Sequence, residues 1–250
     1  MATFDGILLW TFIAISAFNF GLSIYGLYRI WGRAKINGLY ILLIITFLLN
    51  LLMPLGLIVI SLYQIPMFVN TLFGSLVFFV TFARRRPQVG MRMSEVYLGT
   101  WILWLISSGF VASVIVGILG FSLGVYGVII GFYSMGSLKN EFTSDAQRKK
   151  TYPPYLACYK TGVHDVTVSA SLVDDKDITK AVGLGTTAHI FLIANFALIG
   201  AAICFAASSY WWSMFYFFQI CTIPAWTIII HVCLSIYDLS GKSPKVYGLS

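Results

Sequence analysis

Charged side chains are scarce in this chain. Only 10% of the 250 residues are Asp, Glu, Lys or Arg and 59% are hydrophobic, which gives a mean hydropathy of +0.87. Soluble domains carry about 25% charged residues, so this chain lacks the polar surface needed to face water on all sides. The net charge of +7 does not indicate nucleic-acid binding, because the basic residues lie in loops between apolar runs. We therefore predict an integral, multi-pass membrane protein whose main partner is the lipid bilayer.

Sequence motifs of soluble enzymes and metal sites are also absent. The sequence contains no P-loop, HExxH or EF-hand pattern. Its four cysteines have no CxxC spacing, so neither a disulfide framework nor a zinc site is indicated. We therefore predict no catalytic residues and no enzyme activity.

Runs of about 20 apolar residues, each long enough to cross a bilayer, account for most of the chain. Pro54 and Pro224 lie inside two of these runs and predict kinks, because proline removes a backbone hydrogen bond. The runs predict spans 1 to 3 at Ile7–Tyr28, at Leu39–Leu62 and between Pro66 and Arg84, and spans 6 and 7 at Leu184–Ser208 and Ser213–Ile236.

The uncharged stretch Val96–Leu138 allows two interpretations. As one helix it would rise about 60 Å, which is about twice the thickness of the hydrocarbon core. A helical hairpin that turns near Gly117–Gly124 would instead supply spans 4 and 5. The chain has seven spans if the stretch is a hairpin and six if it is one long helix.

The distribution of positive charge favours the hairpin. Lys and Arg concentrate on the cytoplasmic side of membrane proteins. With seven spans all sixteen of these residues lie on one side, whereas a single long helix would put nine of them, Lys139 to Lys245, on the other. We therefore predict an all-α, seven-helix transmembrane bundle with its N-terminus outside and its C-terminus in the cytoplasm.

This topology divides the chain into four parts. Residues 1–138 hold spans 1 to 5, residues 139–183 form a polar cytoplasmic segment, residues 184–240 hold spans 6 and 7, and residues 241–250 are a cytoplasmic tail. The polar segment is long enough for a small cap on the bundle and too short for an independent hydrophobic core.

Small residues recur three or four apart within the uncharged stretch. On a helix this spacing places them on one face, where another backbone can approach closely. Such a face either packs the bundle internally or docks another copy or another subunit. The predicted packing or assembly face consists of Gly109, Ser113, Gly117, Gly120, Gly124, Gly127, Gly131 and Ser134.

Polar side chains interrupt the other apolar runs. An asparagine in hydrocarbon needs a hydrogen-bonding partner, so these residues predict either contacts between helices or a path for a polar solute. They are Asn19, Asn50, Asn70, Asn195 and Gln219. The cluster Arg84, Arg85 and Arg86 is predicted to anchor the topology and to contact anionic lipid headgroups.

The spans contain two histidines, His189 and His231, and no carboxylate. The absence of a carboxylate at mid-membrane disfavours a proton-driven carrier. If spans 6 and 7 are antiparallel neighbours, the two imidazoles share a depth and can ligate one haem b or one metal ion. The simpler expectation is that each histidine hydrogen-bonds a neighbouring helix.

The sequence therefore supports three functional hypotheses. The first is a non-enzymatic structural or accessory subunit, or a self-assembling membrane organiser, that acts through the glycine-rich face on itself or on other membrane subunits. The second is a facilitative carrier or channel for a small neutral solute, lined by the four asparagines. The third is a single-haem electron carrier ligated by His189 and His231.

Overall fold

The computed structural model describes residues 6–31, 38–78, 81, 114–143, 175–206 and 212–242. Every regular element within these ranges is helical. The α-helices are, in chain order, α1 (Gly6–Ile30), α2 (Gly38–Asn50), α3 (Gln64–Phe78), α4 (Val114–Thr143), α5 (Asp175–Ala206) and α6 (Trp212–Lys242), and two short 3-10 helices, Met53–Leu57 and Ile60–Tyr63, connect α2 to α3.

Five helical stretches in the described parts of the chain are long and apolar enough to cross a membrane. None of the five contains Asp or Glu, while α3 is apolar but only 15 residues long. The architecture agrees with the predicted α-helical membrane bundle, whereas the number of spans and their orientation stay predictions. The five stretches are Gly6–Ile30, Tyr40–Leu57, Gly117–Gly136, Val182–Phe205 and Met214–Ile236.

The second predicted span is broken rather than kinked. Helix α2 ends at Asn50, and the chain continues as 3-10 turns until α3 begins at Gln64. Pro54 explains the break, because it has no N–H to donate to the carbonyl of Asn50 and instead occupies the first turn of a 3-10 helix. Pro224, by contrast, lies inside α6, which continues through it.

The predicted turn at Gly117–Gly124 is wrong. Helix α4 runs without interruption from Val114 to Thr143 and includes all of these glycines. They face the neighbouring helix α5, so their lack of a side chain permits close packing and not a change of chain direction. Residues 96–113, on which the choice between a hairpin and one long helix also depends, lie outside the described ranges.

Contacts between helices fix their relative directions. Helices α1 and α6 are parallel, because Asn19 meets Thr227 while Arg29 meets Ser235. Helix α3 is parallel to α6, because Asn70 meets Ile223 and Gly74 meets Trp226. Helix α2 is antiparallel to α1, because Asn19 meets Asn50 and Gly26 meets Phe47. Helix α4 is antiparallel to α5, because Gly120 meets Ile203 and Gly131 meets Ile193. The contact between Phe205 and Phe218 joins the end of α5 to the start of α6. Helices α1, α3, α4 and α6 therefore point one way, and α2 and α5 point the other.

Helix α6 is the element around which the described helices pack. It contacts α1, α3 and α5. The largest apolar cluster gathers buried aromatic and aliphatic residues around Trp226, whose ring lies directly against Gly74 of α3. A second cluster, near the start of α6, joins Phe12, Met53 and Tyr63 to Ile220. The polar side chains described next lie between and beside these clusters.

Candidate functional site

Four buried side chains from four helices form a closed ring of hydrogen bonds. We call this set the asparagine ring. None of the four side chains is exposed to solvent. Asn19 Nδ2 donates to Asn50 Oδ1 (3.4 Å), Asn50 Nδ2 donates to Asn70 Oδ1 (2.7 Å), Asn70 Nδ2 donates to Thr227 Oγ1 (3.2 Å), and Thr227 Oγ1 donates to Asn19 Oδ1 (2.7 Å).

The local sequence explains the position of each member of the ring. Asn19 lies on the buried stripe of α1, three residues after Ser16, so it faces the interior. Asn50 is the last residue of α2, immediately before the break that Pro54 causes. Asn70 lies on the face of α3 that meets α6, and Thr227 is its partner there. The break after α2 therefore helps to bring the Asn50 amide to the interior.

The asparagine ring is neutral, and its bonds all run in one direction. Each amide donates once and accepts once around the ring, and the single hydroxyl of Thr227 does both. Thr227 Oγ1 also lies 3.0 Å from the carbonyl of Ile223, and its one proton goes to the nearer acceptor, Asn19 Oδ1. The amide orientations follow from this network. Asn70 Nδ2 also reaches the carbonyl of Ile223 at 3.2 Å. Hydrogen bonds aligned in this way strengthen one another. The arrangement holds helices together and contains no nucleophile and no general base.

A second polar group lies toward the start of α6. The hydroxyl of Tyr63 donates to Gln219 Oε1 at 2.7 Å. Tyr63 also packs edge-on against the ring of Phe12, with 6.0 Å between the ring centroids. Gln219 Nε2 and Ser16 Oγ are both buried and have no hydrogen-bond partner among the described residues.

Both ring nitrogens of His189 are engaged in hydrogen bonds. Nδ1 lies 2.7 Å from the carbonyl of Gly185, so it carries the proton and donates. Nε2 lies 2.8 Å from the hydroxyl of Ser134 on α4 and accepts its proton. The ring of Phe78 packs edge-on against the imidazole. His189 thus joins α5 to α4 and α3.

His231 has a different set of neighbours. Its Nε2 donates to the carbonyl of Leu22 on α1 at 2.8 Å, and its Nδ1 has no hydrogen-bond partner among the described residues. The imidazole stacks on Tyr25 and lies against Phe47. Arg29 donates to the carbonyl of His231 at 3.2 Å. This cluster fastens the end of α1 to α6.

The two histidines therefore contact different helices. His189 bonds to α4, whereas His231 bonds to α1. Haem or metal ligation needs a free lone pair on an imidazole nitrogen, and in this arrangement His189 would have to give up one of its hydrogen bonds to supply it. Ligation of a haem or a metal ion by the pair stays a hypothesis, and the hydrogen bonds of His189 disfavour it.

The described part of the predicted glycine face packs against α5 of the same chain. Gly120, Gly127 and Gly131 lie directly against the side chains of Ile203, Phe196 and Ile193. A Cβ on Gly124 would stand 2.8 Å from the Cα of Gly200, so the two backbones touch here. We call this contact the α4–α5 seam; at its two ends, Ser134 bonds to His189 and the carbonyl of Gly117 accepts a hydrogen bond from the thiol of Cys204.

Asn195 stands apart from the other three predicted asparagines. It is fully buried in α5, and neither Oδ1 nor Nδ2 has a hydrogen-bond partner among the described residues. The structure therefore brings Asn19, Asn50 and Asn70 together and does not bring Asn195 to them.

Some predicted features lie outside the described ranges. They are the lipid-contact cluster Arg84, Arg85 and Arg86, the first two members of the small-residue face, Gly109 and Ser113, most of the polar segment, and the tail beyond Lys242. At the borders of the polar segment, α4 extends to Thr143 and α5 begins at Asp175.

Sequence reasoning missed two participants of the polar interior and the role of a third. Thr227 closes the asparagine ring and Tyr63 holds Gln219. Ser134, which was predicted only as a member of the small-residue face, holds His189. The spacing of Ser16, Asn19 and Ser23 along one face of α1 was the available signal that polar groups line the interior. No signal of this kind identifies Thr227, because hydroxyl residues in helices usually bond to their own backbone.

The fold and the polar interior define an α-helical bundle of the membrane-spanning class, with a neutral hydrogen-bonded core. No protein-family model, curated protein or solved structure matches the chain.

Proposed function

We propose that the chain is a non-enzymatic, multi-pass membrane protein that acts as a structural or accessory subunit of a membrane assembly. The asparagine ring carries this proposal, because the polar groups of four helices hydrogen-bond to one another in it. A closed, neutral ring stabilises one fixed arrangement of helices. The same holds for His189, whose two nitrogens bond to Gly185 and Ser134.

The α4–α5 seam changes where a neighbouring subunit would bind. The described part of the glycine face is covered by α5, so it supports internal packing and not self-assembly. The outer surface of α4 carries exposed large apolar residues, among them Ile118 and Phe121. In a membrane, lipid or another subunit covers such a surface.

Site-specific photo-crosslinking in native membranes tests the structural role. A photoreactive residue at Phe121 faces outward. One at Ile130 on the same helix, which is 2% exposed, faces the core of the bundle. We expect Phe121 to give an adduct of one discrete mass containing a membrane subunit, and Ile130 to give none. Recovery of monomer alone from Phe121 and from further outward positions, such as Phe18 on α1, would refute the role.

We further propose the seven-span topology, with the N-terminus outside. The helix directions support it, because α3 and α4 point the same way. The chain leaves α3 at one end of the bundle and enters α4 at the other, which fits an additional crossing between them. A single long helix over Val96–Leu138 would instead make α4 antiparallel to α3.

A second candidate function is a facilitative carrier or channel for a small neutral solute. The break between Asn50 and Gln64 favours it, because discontinuous helices commonly form solute sites in carriers. The flanking polar groups are neutral, as a neutral solute requires. Flux of radiolabelled glycerol or acetamide into vesicles containing the purified chain, compared with vesicles lacking it, tests this function; equal flux would reject it.

A further inference from the structure

Ser16 differs from the other buried Ser and Thr side chains of the described residues. Each of the others donates to a backbone carbonyl one turn away or bonds to another side chain, as Ser23 does to the carbonyl of Asn19 at 2.8 Å. Ser16 Oγ makes no such bond, although the side chain is only 2% exposed. A hydroxyl that is buried in an apolar environment without a partner is energetically costly.

Gln219 presents a second buried group of this kind. Tyr63 bonds to its Oε1 and thereby fixes the orientation of the amide. Nε2 is left with two N–H donors and no acceptor among the described residues, and Gln219 is 2% exposed. The backbone carbonyl of Ile220, one residue further along α6, lacks its usual helical donor, because Pro224 has no N–H.

Ser16 and Gln219 border the same part of the bundle. Each is a sequence neighbour of the cluster that joins Phe12, Met53 and Tyr63 to Ile220: Ser16 follows Phe12 by one helical turn, and Gln219 precedes Ile220. Helices α1 and α6 are parallel, and Asn19 is level with Thr227. A rise of 1.5 Å per residue then places Ser16 and Gln219 about 7.5 Å apart along the bundle axis.

We propose that Ser16 and Gln219 form a binding site for a small neutral molecule that carries a hydrogen-bond donor and an acceptor, such as a carboxamide or a diol. This site goes beyond the structural role. It gives the solute-carrier candidate a substrate class, and transport of such a molecule rests on that candidate function. It is a site of its own, separate from the asparagine ring, whose hydrogen bonds are already complete.

The polarity of the ligand follows from the two side chains. Gln219 Nε2 donates to the ligand, and the hydroxyl of Ser16 either donates or accepts. A carboxamide or a diol carries both the acceptor and the donor that this pair requires. The described spans on either side carry no acidic residue that would favour a cation.

The 3-10 helices between α2 and α3 provide the access route. Met53 and Tyr63 belong to them and line the region, and Gly56 lies directly under the ring of Phe12. Short 3-10 turns have weaker hydrogen-bond geometry than α-helices, so this wall opens more easily than the helices around it. Its opening exposes Ser16 and Gln219 and releases the Tyr63 hydroxyl from Gln219. The asparagine ring stays closed, because none of its four members belongs to the 3-10 helices.

Cysteine accessibility tests the site independently of transport. In the full-length chain with its four native cysteines replaced by alanine, S16C is compared with S23C, since Ser23 is a buried serine on the same face of α1. The probe is methyl methanethiosulfonate, a small neutral reagent. We expect S16C to react at least tenfold faster than S23C, and excess acetamide or glycerol to slow the reaction.

The outcomes separate the possible ligands. Protection by acetamide alone assigns a carboxamide site, protection by glycerol alone assigns a diol site, and protection by both assigns their shared donor–acceptor pattern. Equal reactivity of S16C and S23C, or no protection by either solute, overturns the proposal. Neither of these two results affects the crosslinking expected of a structural subunit.

A second measurement avoids the cysteine-free background. The melting temperature of the wild-type chain in detergent is expected to rise with the concentration of acetamide or glycerol, and this rise should disappear in Q219M. S23A, which changes a hydroxyl outside the site, serves as the matched control and should keep the response. A wild-type chain that shows no response, or a Q219M chain that responds fully, contradicts the site.

Discussion

The hydroxyl of Thr227 lies 2.7 Å from Oδ1 of Asn19, although 208 residues separate the two in the sequence. This bond joins the first described helix to the last one and closes the asparagine ring. Because the ring also takes one amide from α2 and one from α3, four helices share a single hydrogen-bonded network.

Asn70 and Asn195 are expected to respond oppositely to replacement by leucine. Asn70 bonds to Asn50, Thr227 and the carbonyl of Ile223, so N70L leaves buried polar groups without partners and should lower the free energy of unfolding by about 1–3 kcal/mol. N195L removes an amide that has no partner among the described residues, so its stability should equal or exceed that of the wild type. Reversible unfolding in mixed micelles with increasing dodecyl sulfate measures both; equal losses would contradict the ring.

The α4–α5 seam predicts a difference between two glycines of the same helix. A Cβ at Gly124 would meet the backbone of Gly200 at 2.8 Å and the carbonyl of Phe196 at 3.1 Å, and backbone atoms cannot rotate away. G124A should therefore destabilise the chain by about 1–3 kcal/mol. A Cβ at Gly136 meets nothing within 4 Å. G136A is thus the matched control and should leave stability unchanged or slightly raised; a comparable loss in both variants would rule out the seam.

The helix directions predict the sidedness of two segments. Helix α5 begins and α6 ends at the same end of the bundle, so Lys149–Lys150 near the start of the polar segment and the C-terminal tail should lie on one side of the membrane. Their positive charge predicts that this side is the cytoplasm. Protease protection or tag accessibility in sealed vesicles measures this. Exposure of both segments on the outside would invert the proposed orientation, and exposure on opposite sides would contradict the antiparallel pairing of α5 and α6.

The hydrogen bonds of His189 predict that the purified chain carries no haem. With Nδ1 donating to Gly185 and Nε2 accepting from Ser134, neither nitrogen is available to iron. A chain expressed with excess haem should therefore lack Soret absorbance after purification. A Soret band that disappears in both H189A and H231A would instead establish the histidine pair as ligands.

The sequence predicts the helical membrane class well and the details of the helices less well. Low charge and long apolar runs are sufficient for the class, because they reflect the energetics of the bilayer. The break at Pro54 and the continuity at Pro224 have the same local signal and different outcomes. Packing against the neighbouring helices decides between them, and that information is not local.

The interior was only partly predictable for a similar reason. An asparagine in an apolar run indicates that a hydrogen-bonding partner is needed but does not identify that partner. Asn70 bonds to Thr227, whereas Asn195 has no partner among the described residues. The glycine spacing predicts a close helix contact without identifying the partner helix. In the structure, that partner is α5.

The position of Thr227 in the chain has a consequence for biosynthesis. A ribosome completes α1, α2 and α3 long before it reaches α6, so Asn19, Asn50 and Asn70 enter the bilayer before the residue that closes their ring exists. During this interval Asn19 Oδ1 and Asn70 Nδ2 lack the partners that the last helix supplies. A premature stop before α6 would leave this defect permanent, which makes truncated chains suitable substrates for the proteases that survey membranes for incompletely assembled proteins.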